Sequence, residues 1–167
     1  FVVRVGQPPR STLIPYTTLF RSLTPTLDNV SVYASYAYVD AEIREKGDTY
    51  GNQVPFSPKH KGTLGVDYKP GNWTFNLNSD FQSSQFADNA NTVKESADGS
   101  TGRIPGFMLW GARVAYDFGP QMADLNLAFG VKNIFDQAYF TRSYDDNNKG
   151  IYAGQPRTLY MQGSLKF

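Results

Sequence analysis

NWTFNLNSDF, residues 72–81, decides how this chain folds. Trp73, Phe75, Leu77 and Phe81 alternate with Thr74, Asn76, Asn78 and Asp80. On a helix the two sets would mix around the cylinder; on a strand each set has a face to itself. The stretch is therefore predicted to be a two-faced strand, one face apolar and the other wholly polar. The same arrangement recurs in ADLNLAFGVK (123–132), where Leu125, Leu127, Phe129 and Val131 oppose Asp124, Asn126, Gly130 and Lys132. It recurs in TLYMQGSLKF (158–167), KGTLGVDYK (61–69) and GFMLWGARVAYDF (106–118), and less cleanly in VSVYASYAYVDAEI (30–43). About six strands result, most near the ~10 residues that a tilted strand needs to cross a bilayer. Helical periodicity is absent.

The connections alternate in length. Pro70-Gly71-Asn72 and Gly119 to Met122 are tight turns, whereas segments 43–59, 84–105 and 133–156 are long and rich in Asn, Asp, Gly and Ser. Short turns at one end and long loops at the other describe an outer-membrane barrel. Tyr36, Tyr38, Tyr68, Trp73, Tyr116 and Phe118 fall near strand ends, where such barrels carry aromatic girdles. A soluble secreted β-sandwich, with the same aromatics as its core, and a porin or adhesin barrel remain open on pattern alone. If the barrel is right, Leu64, Val66, Phe75, Leu77, Val114, Leu127, Phe129 and Leu165 face lipid, with Leu127 near mid-membrane. Asn76, Asn78, Arg113, Asn126, Gln162 and Ser164 then face the lumen.

Composition narrows the function. Sixteen basic against fifteen acidic residues leave a net charge of +1, which provides no field for capturing nucleic acid. Cysteine is absent, which removes disulfides and CxxC metal sites. His60 is the only histidine, so a His-based triad would rest on SPKHKG alone. DDNNKG (145–150) has the wrong carboxylate spacing for an EF-hand and reads as a solvated loop tip. Phosphate-binding glycine motifs are missing. No enzyme, cofactor or metal site is expected.

GVKNIFDQAYFTRSYDDNNKGIYAGQPRTLYMQGSLKF, residues 130–167, resembles the C-terminal signature of TonB-dependent outer-membrane receptors: an N-I/L-F-D-x-x-Y segment, then G-x-P-R-T, then a last strand ending in Phe. TGRIPGFMLW (101–110) and VPFSPKHKGTLGVDY (54–68) are similar to the preceding parts of that family's barrel, so the resemblance covers about 28–167. Within the family the chain is most similar to the receptors for ferric citrate (iron dicitrate). The resemblance implies an all-β antiparallel transmembrane barrel fragment, about six C-terminal strands of a 22-stranded barrel, in the outer membrane of a Gram-negative bacterium. It also implies an anionic iron chelate as ligand, and the TonB system, the barrel-assembly machinery and the lipid bilayer as partners. Asn133, Asp136, Tyr139, Gly154, Pro156, Arg157 and Phe167 are the structural signature. Asn147 is the leading ligand contact carried over from the family's last loop, followed by Arg142, Asn148 and Lys149. The plug and the TonB-contacting segment are missing, and an open sheet with two unpaired edges should by itself transport nothing.

PPRSTLIPYTTLFRS, residues 8–22, reads differently from everything after it. It resembles the in-frame translation of a short-read sequencing adapter, differing only in Ile14 where the adapter would encode Phe. Residues 1–22 are accordingly expected to be a non-native segment that makes few contacts with the sheet, and 23–167 to be the barrel part.

Overall fold

The alternation starting at Trp73 settles into a strand because its apolar side chains all leave on one side while the backbone pairs along both edges. The computed structural model describes residues 19–23, 26–97, 99–122, 124–143 and 150–165. Its strands are β1 (Leu19–Leu23), β2 (Thr26–Leu27), β3 (Val30–Tyr38), β4 (His60–Tyr68), β5 (Trp73–Gln82), β6 (Gln85–Phe86), β7 (Arg103–Ile104), β8 (Phe107–Asp117), β9 (Asn126–Lys132), β10 (Phe140–Ser143), β11 (Gly150–Ala153) and β12 (Thr158–Ser164). The main sheet runs β1-β3-β4-β5-β8-β9-β12, antiparallel throughout, with β2 also on β3. The six long alternating segments are thus β3, β4, β5, β8, β9 and β12, in chain order around a meander. Among the described residues no helix is long and apolar enough to cross a membrane.

Register turns the alternation into rows. Val32, Val66, Leu77, Ala112, Val131 and Leu159 stand side by side across six strands, and the row below them is Val30, Tyr68, Phe75, Val114, Phe129 and Met161. Between these rows, on the opposite face, run Ser31, Asp67, Asn76, Arg113, Gly130 and Tyr160. The apolar face is uncovered: Leu77 is 46% exposed, Phe129 54% and Leu159 79%. A sandwich would bury that face under a second sheet about 10 Å away, and no such sheet packs on it among the described residues. Apart from Ala115 and Ala128, whose register positions lie on the polar face, the buried apolar residues (Ala41, Ala87 and Ile104) sit in the long connections or the short strand β7. The fold is inside-out relative to a soluble protein, which is how a wall solvated by lipid must be built.

The two ends differ as expected. Between β4 and β5 the chain turns at Gly71, whose φ of 58° suits glycine, and between β8 and β9 at Gly119, φ 69°. At this short-turn end, aromatic rings form a continuous chain of neighbours: Tyr68 with Phe75, Phe75 with Trp73, Trp73 with Tyr116 (4.7 Å) and Tyr116 with Phe118 (4.8 Å). At the other end Tyr36 lies against Phe81, and Tyr36 and Tyr38 both lie against His60. The Tyr36 hydroxyl and His60 Nδ1 share a hydrogen bond of 2.7 Å. The lone histidine therefore belongs to the upper girdle. From Trp73 to Phe81 β5 rises about 26 Å, or about 20 Å across a membrane at a ~40° tilt, close to the ~25 Å apolar band of such barrels.

Three expectations need adjusting. Leu127 pairs across to Tyr116, in the row of Trp73, so it stands at the short-turn girdle rather than near mid-membrane; the middle row is that of Leu77. The alternation gave its face correctly but carried no height, which only register supplies. The long connections also contain structure of their own, the hairpins β6–β7 and β10–β11, too short for periodicity to reveal. Finally, Leu19–Leu23 pairs with β3, so the end of the 1–22 segment does touch the sheet; β3 would otherwise present unpaired backbone that an extended neighbour can satisfy. Residues 1–18 and Phe167 lie outside the described residues.

Several cross-strand partners share one device. The Tyr33 ring lies over Gly65, Tyr160 over Gly130 and Phe81 over Gly62, each aromatic directly opposite its glycine, and a Cβ at any of these glycines would fall inside the ring. Asn78 covers Gly111 in the same way.

Candidate functional site

β9 ends where Asn133 and then Asp136 each take a φ of 51°. Asn and Asp tolerate this left-handed region because their short polar side chains bond locally. Asn133, 4% exposed, donates from Nδ2 to the carbonyls of Gln137 (3.0 Å) and Gln155 (3.1 Å), and its Oδ1 accepts from the Gln137 N–H (2.9 Å). One side chain thereby joins the departing and returning arms of the 133–157 connection. Asp136 accepts from the Arg157 N–H at 2.8 Å, with the Arg157 guanidinium 3.8 Å from its other oxygen. The Tyr139 hydroxyl accepts from the Gln155 N–H (3.0 Å), its carbonyl accepts from the Gly154 N–H (2.8 Å), and its ring covers Gly154 and tilts against Phe107. The Pro156 carbonyl accepts from the Thr158 hydroxyl at 2.9 Å. Asn133, Asp136, Tyr139, Gly154, Pro156 and Arg157 are thus gathered at the foot of one loop, where strand backbone loses its ladder partners and side chains replace them. Arg142 is on β10; Asn147, Asn148 and Lys149 lie outside the described residues.

The other two long connections are joined to each other. Asn91, φ 54°, accepts from the Gln53 N–H (2.7 Å) and donates to the Gln53 carbonyl (2.8 Å), pairing with that residue as a strand neighbour would. Asn52 donates to the Asn89 carbonyl at 2.9 Å, and the Phe56 N–H to the Phe86 carbonyl at 2.9 Å. Behind Asn91, the Asp88 carboxylate accepts from the Gly102 and Thr92 N–H groups and from the Thr92 hydroxyl. Burial would raise the Asp88 pKa, but these donors outweigh it and hold the carboxyl below its usual range. At the base of the 39–59 connection Lys59 and Asp40 form an ion pair at 2.7 Å, and that hydrogen bond is the main reason Asp40 is held low and Lys59 high. Asp88, Asn91 and Gln53 were not foreseen; the clue, an Asx residue able to bond the backbone in a polar loop, is too common to single them out.

The polar face of the sheet is cross-linked as well. Thr63 donates to Asp80 and Asn76 to Asp67, both at 2.7 Å. Lys132 stands over the Tyr160 ring, 5.9 Å from its centre. Below the Asn133 turn a hollow of about 330 Å³ is lined by Asn78, Asp80, Lys132, Asn133, Tyr139 and Tyr160 among others. Its walls offer donors, acceptors and one cation, a surface suited to hydrogen-bonding polar matter.

An uncovered apolar band, an aromatic girdle at each end, a polar inner wall and long connections on one side define a section of an outer-membrane β-barrel. The family described as TonB dependent receptor-like, beta-barrel matches residues 16–134, and the chain belongs to it. It is 28% identical over 143 residues to the metal-pseudopaline receptor CntO of Pseudomonas aeruginosa, covering 84% of this chain and 19% of that protein. It is also 28% identical over 145 residues to the ferrichrome outer membrane transporter/phage receptor of Escherichia coli, covering 83% of this chain and 18% of the relative. The crystal structure of the ferric citrate transporter FecA in the unliganded form superposes with a TM-score of 0.82 at 96% identity, over 86% of this chain and 22% of that one. The chain spans about a fifth of the length of these relatives. It is a piece of barrel wall from the outer membrane of a Gram-negative bacterium.

Proposed function

We propose that this chain is the C-terminal wall of a receptor that takes up ferric citrate by TonB-dependent transport and catalyses no reaction. The observation that carries this reading is the 96% identity to the ferric citrate transporter over most of the chain. The iron chelate is cargo: an anion wrapped in citrate oxygens is recognised through peripheral hydrogen bonds and cations, without protein ligands to the metal. In this reading Asn147 is the leading contact with the chelate, Arg142, Asn148 and Lys149 are the next candidates, and Phe167 is the aromatic read by the barrel-assembly machinery. Residues 1–22 are taken as foreign to the receptor. One thing favours that: the share of the chain outside the FecA superposition is about as long as this segment. Against it, the family match begins at residue 16. An uninterrupted gene sequence across the junction decides the point, and finding residues 1–22 there would reject it.

The functional test uses the full-length receptor carrying this segment as the only ferric citrate receptor of a cell. Uptake of radioactive iron should require citrate and TonB. Asn147→Ala should weaken binding by about 1.5–3 kcal/mol, the worth of a hydrogen bond to a charged group. Uptake indifferent to citrate would overturn the assignment.

A further inference from the structure

We infer that Asn91 is a positioning residue that fuses the 39–59 and 83–106 connections into one stiff wall of the receptor's outer mouth, an inference that rests on the ferric citrate reading above. Both connections leave the same end of the sheet, and each has backbone ties of its own, the Val54 N–H to the Ala41 carbonyl and the Ile43 N–H to the Asn52 carbonyl in the first and the β6–β7 pair in the second; what joins one to the other is a separate set of bonds. They are tied at three successive levels. At the sheet, β4 and β5 continue their pairing upward through the Ser83 N–H to the His60 carbonyl and the His60 N–H to the Ser83 hydroxyl. Midway, the Phe56 N–H reaches the Phe86 carbonyl. At the top, Asn91 bonds both backbone groups of Gln53 while Asn52 reaches the Asn89 carbonyl.

Only the uppermost tie depends on one side chain making a reciprocal pair, so it is where the wall can be opened selectively. Asn suits the position twice over: it adopts the left-handed φ of 54°, and its amide presents a donor and an acceptor together, matching a peptide edge. Gln53 is held from its other side, since its Nε2 donates to the Ser57 carbonyl, and Asp88 fixes the 88–102 arm behind Asn91 through the Thr92 and Gly102 N–H groups. A wall ordered before the ligand arrives does not charge its ordering entropy against binding.

The test compares Asn91→Gly, which keeps the φ and removes both bonds to Gln53 together with the Nδ2 bond to the Asp88 carbonyl, with Asn91→Asp, which keeps only the acceptor for the Gln53 N–H, in the full-length receptor in membranes. Amide hydrogen exchange over residues 49–57 should speed up by about tenfold in Asn91→Gly and less in Asn91→Asp, with β4 and β5 unchanged. Ferric citrate affinity should fall in the same order. Unaltered exchange in Asn91→Gly would overturn the clamp; faster exchange with unaltered affinity would overturn its positioning role. Failure of the unsubstituted receptor to bind ferric citrate would instead remove the functional reading, and the exchange measurement would still decide whether the clamp exists.

Discussion

The strand wall and the long connections above it solve one problem in opposite ways. In the wall, backbone pairs with backbone, and side chains are free to meet lipid on one face and the lumen on the other. In the connections, beyond the short hairpins β6–β7 and β10–β11, side chains supply much of the pairing: Asn133 bridges the arms of one loop, Asn91 takes the place of a strand edge for Gln53, and Asp88 collects three donors. A substitution in the wall should therefore act through the face it occupies, and one in the connections through the backbone groups it strands.

The wall half of that contrast is broken most severely by a charge at mid-height. Leu77→Arg in the full-length receptor should cost about 2–4 kcal/mol, Leu127→Arg at the girdle about 0–1 kcal/mol, and Asn76→Arg on the luminal side less than Leu77→Arg. Heat-modified gel mobility reads all three, and equal losses at Leu77 and Asn76 would mean the faces are wrong. For the connections, Asn133→Ala should cost about 1–3 kcal/mol, because the Gln137 N–H and two carbonyls lose their partner. Urea unfolding of the folded receptor measures it, with Asn133→Gly as the control that keeps the φ. Gly65→Ala should cost about 1–3 kcal/mol in the same unfolding measurement, since the Tyr33 ring must leave its place. The mildest effect is acid loosening of the 88–102 arm. The native Asp88 pKa lies below its unfolded value, so its contribution is full above the unfolded value and disappears as pH falls through the lowered native one. Exchange of the Gly102 amide, corrected for its intrinsic pH dependence, should show that loss in wild type and none in Asp88→Asn.

How far the sequence was legible follows the same division. Leu77 beside Asn76 is readable because the cause, two faces in two solvents, acts on adjacent residues and repeats every second position. Asn91 is unreadable because its partner Gln53 is 38 positions away and no period links them. Asn133 falls between: no pattern marks it, and it came forward only through family resemblance, with its three hydrogen bonds supplying the reason afterwards. The height of Leu127 was lost for want of register, and the short hairpins for want of length.

The aromatic rings set over glycines have a consequence for how this sheet avoids misalignment. Alternation penalises a slip of one residue, which would turn the apolar face inward, but it is blind to a slip of two, which leaves every face unchanged. Such an even slip would move Tyr33 from Gly65 onto Thr63 or Asp67, Tyr160 from Gly130 onto Ala128 or Lys132, and Phe81 from Gly62 onto His60 or Leu64. In each case a side chain would occupy the space under the ring. The glycines therefore act as a parity check: alternation rejects odd errors of alignment, and the ring-and-glycine pairs reject the even ones.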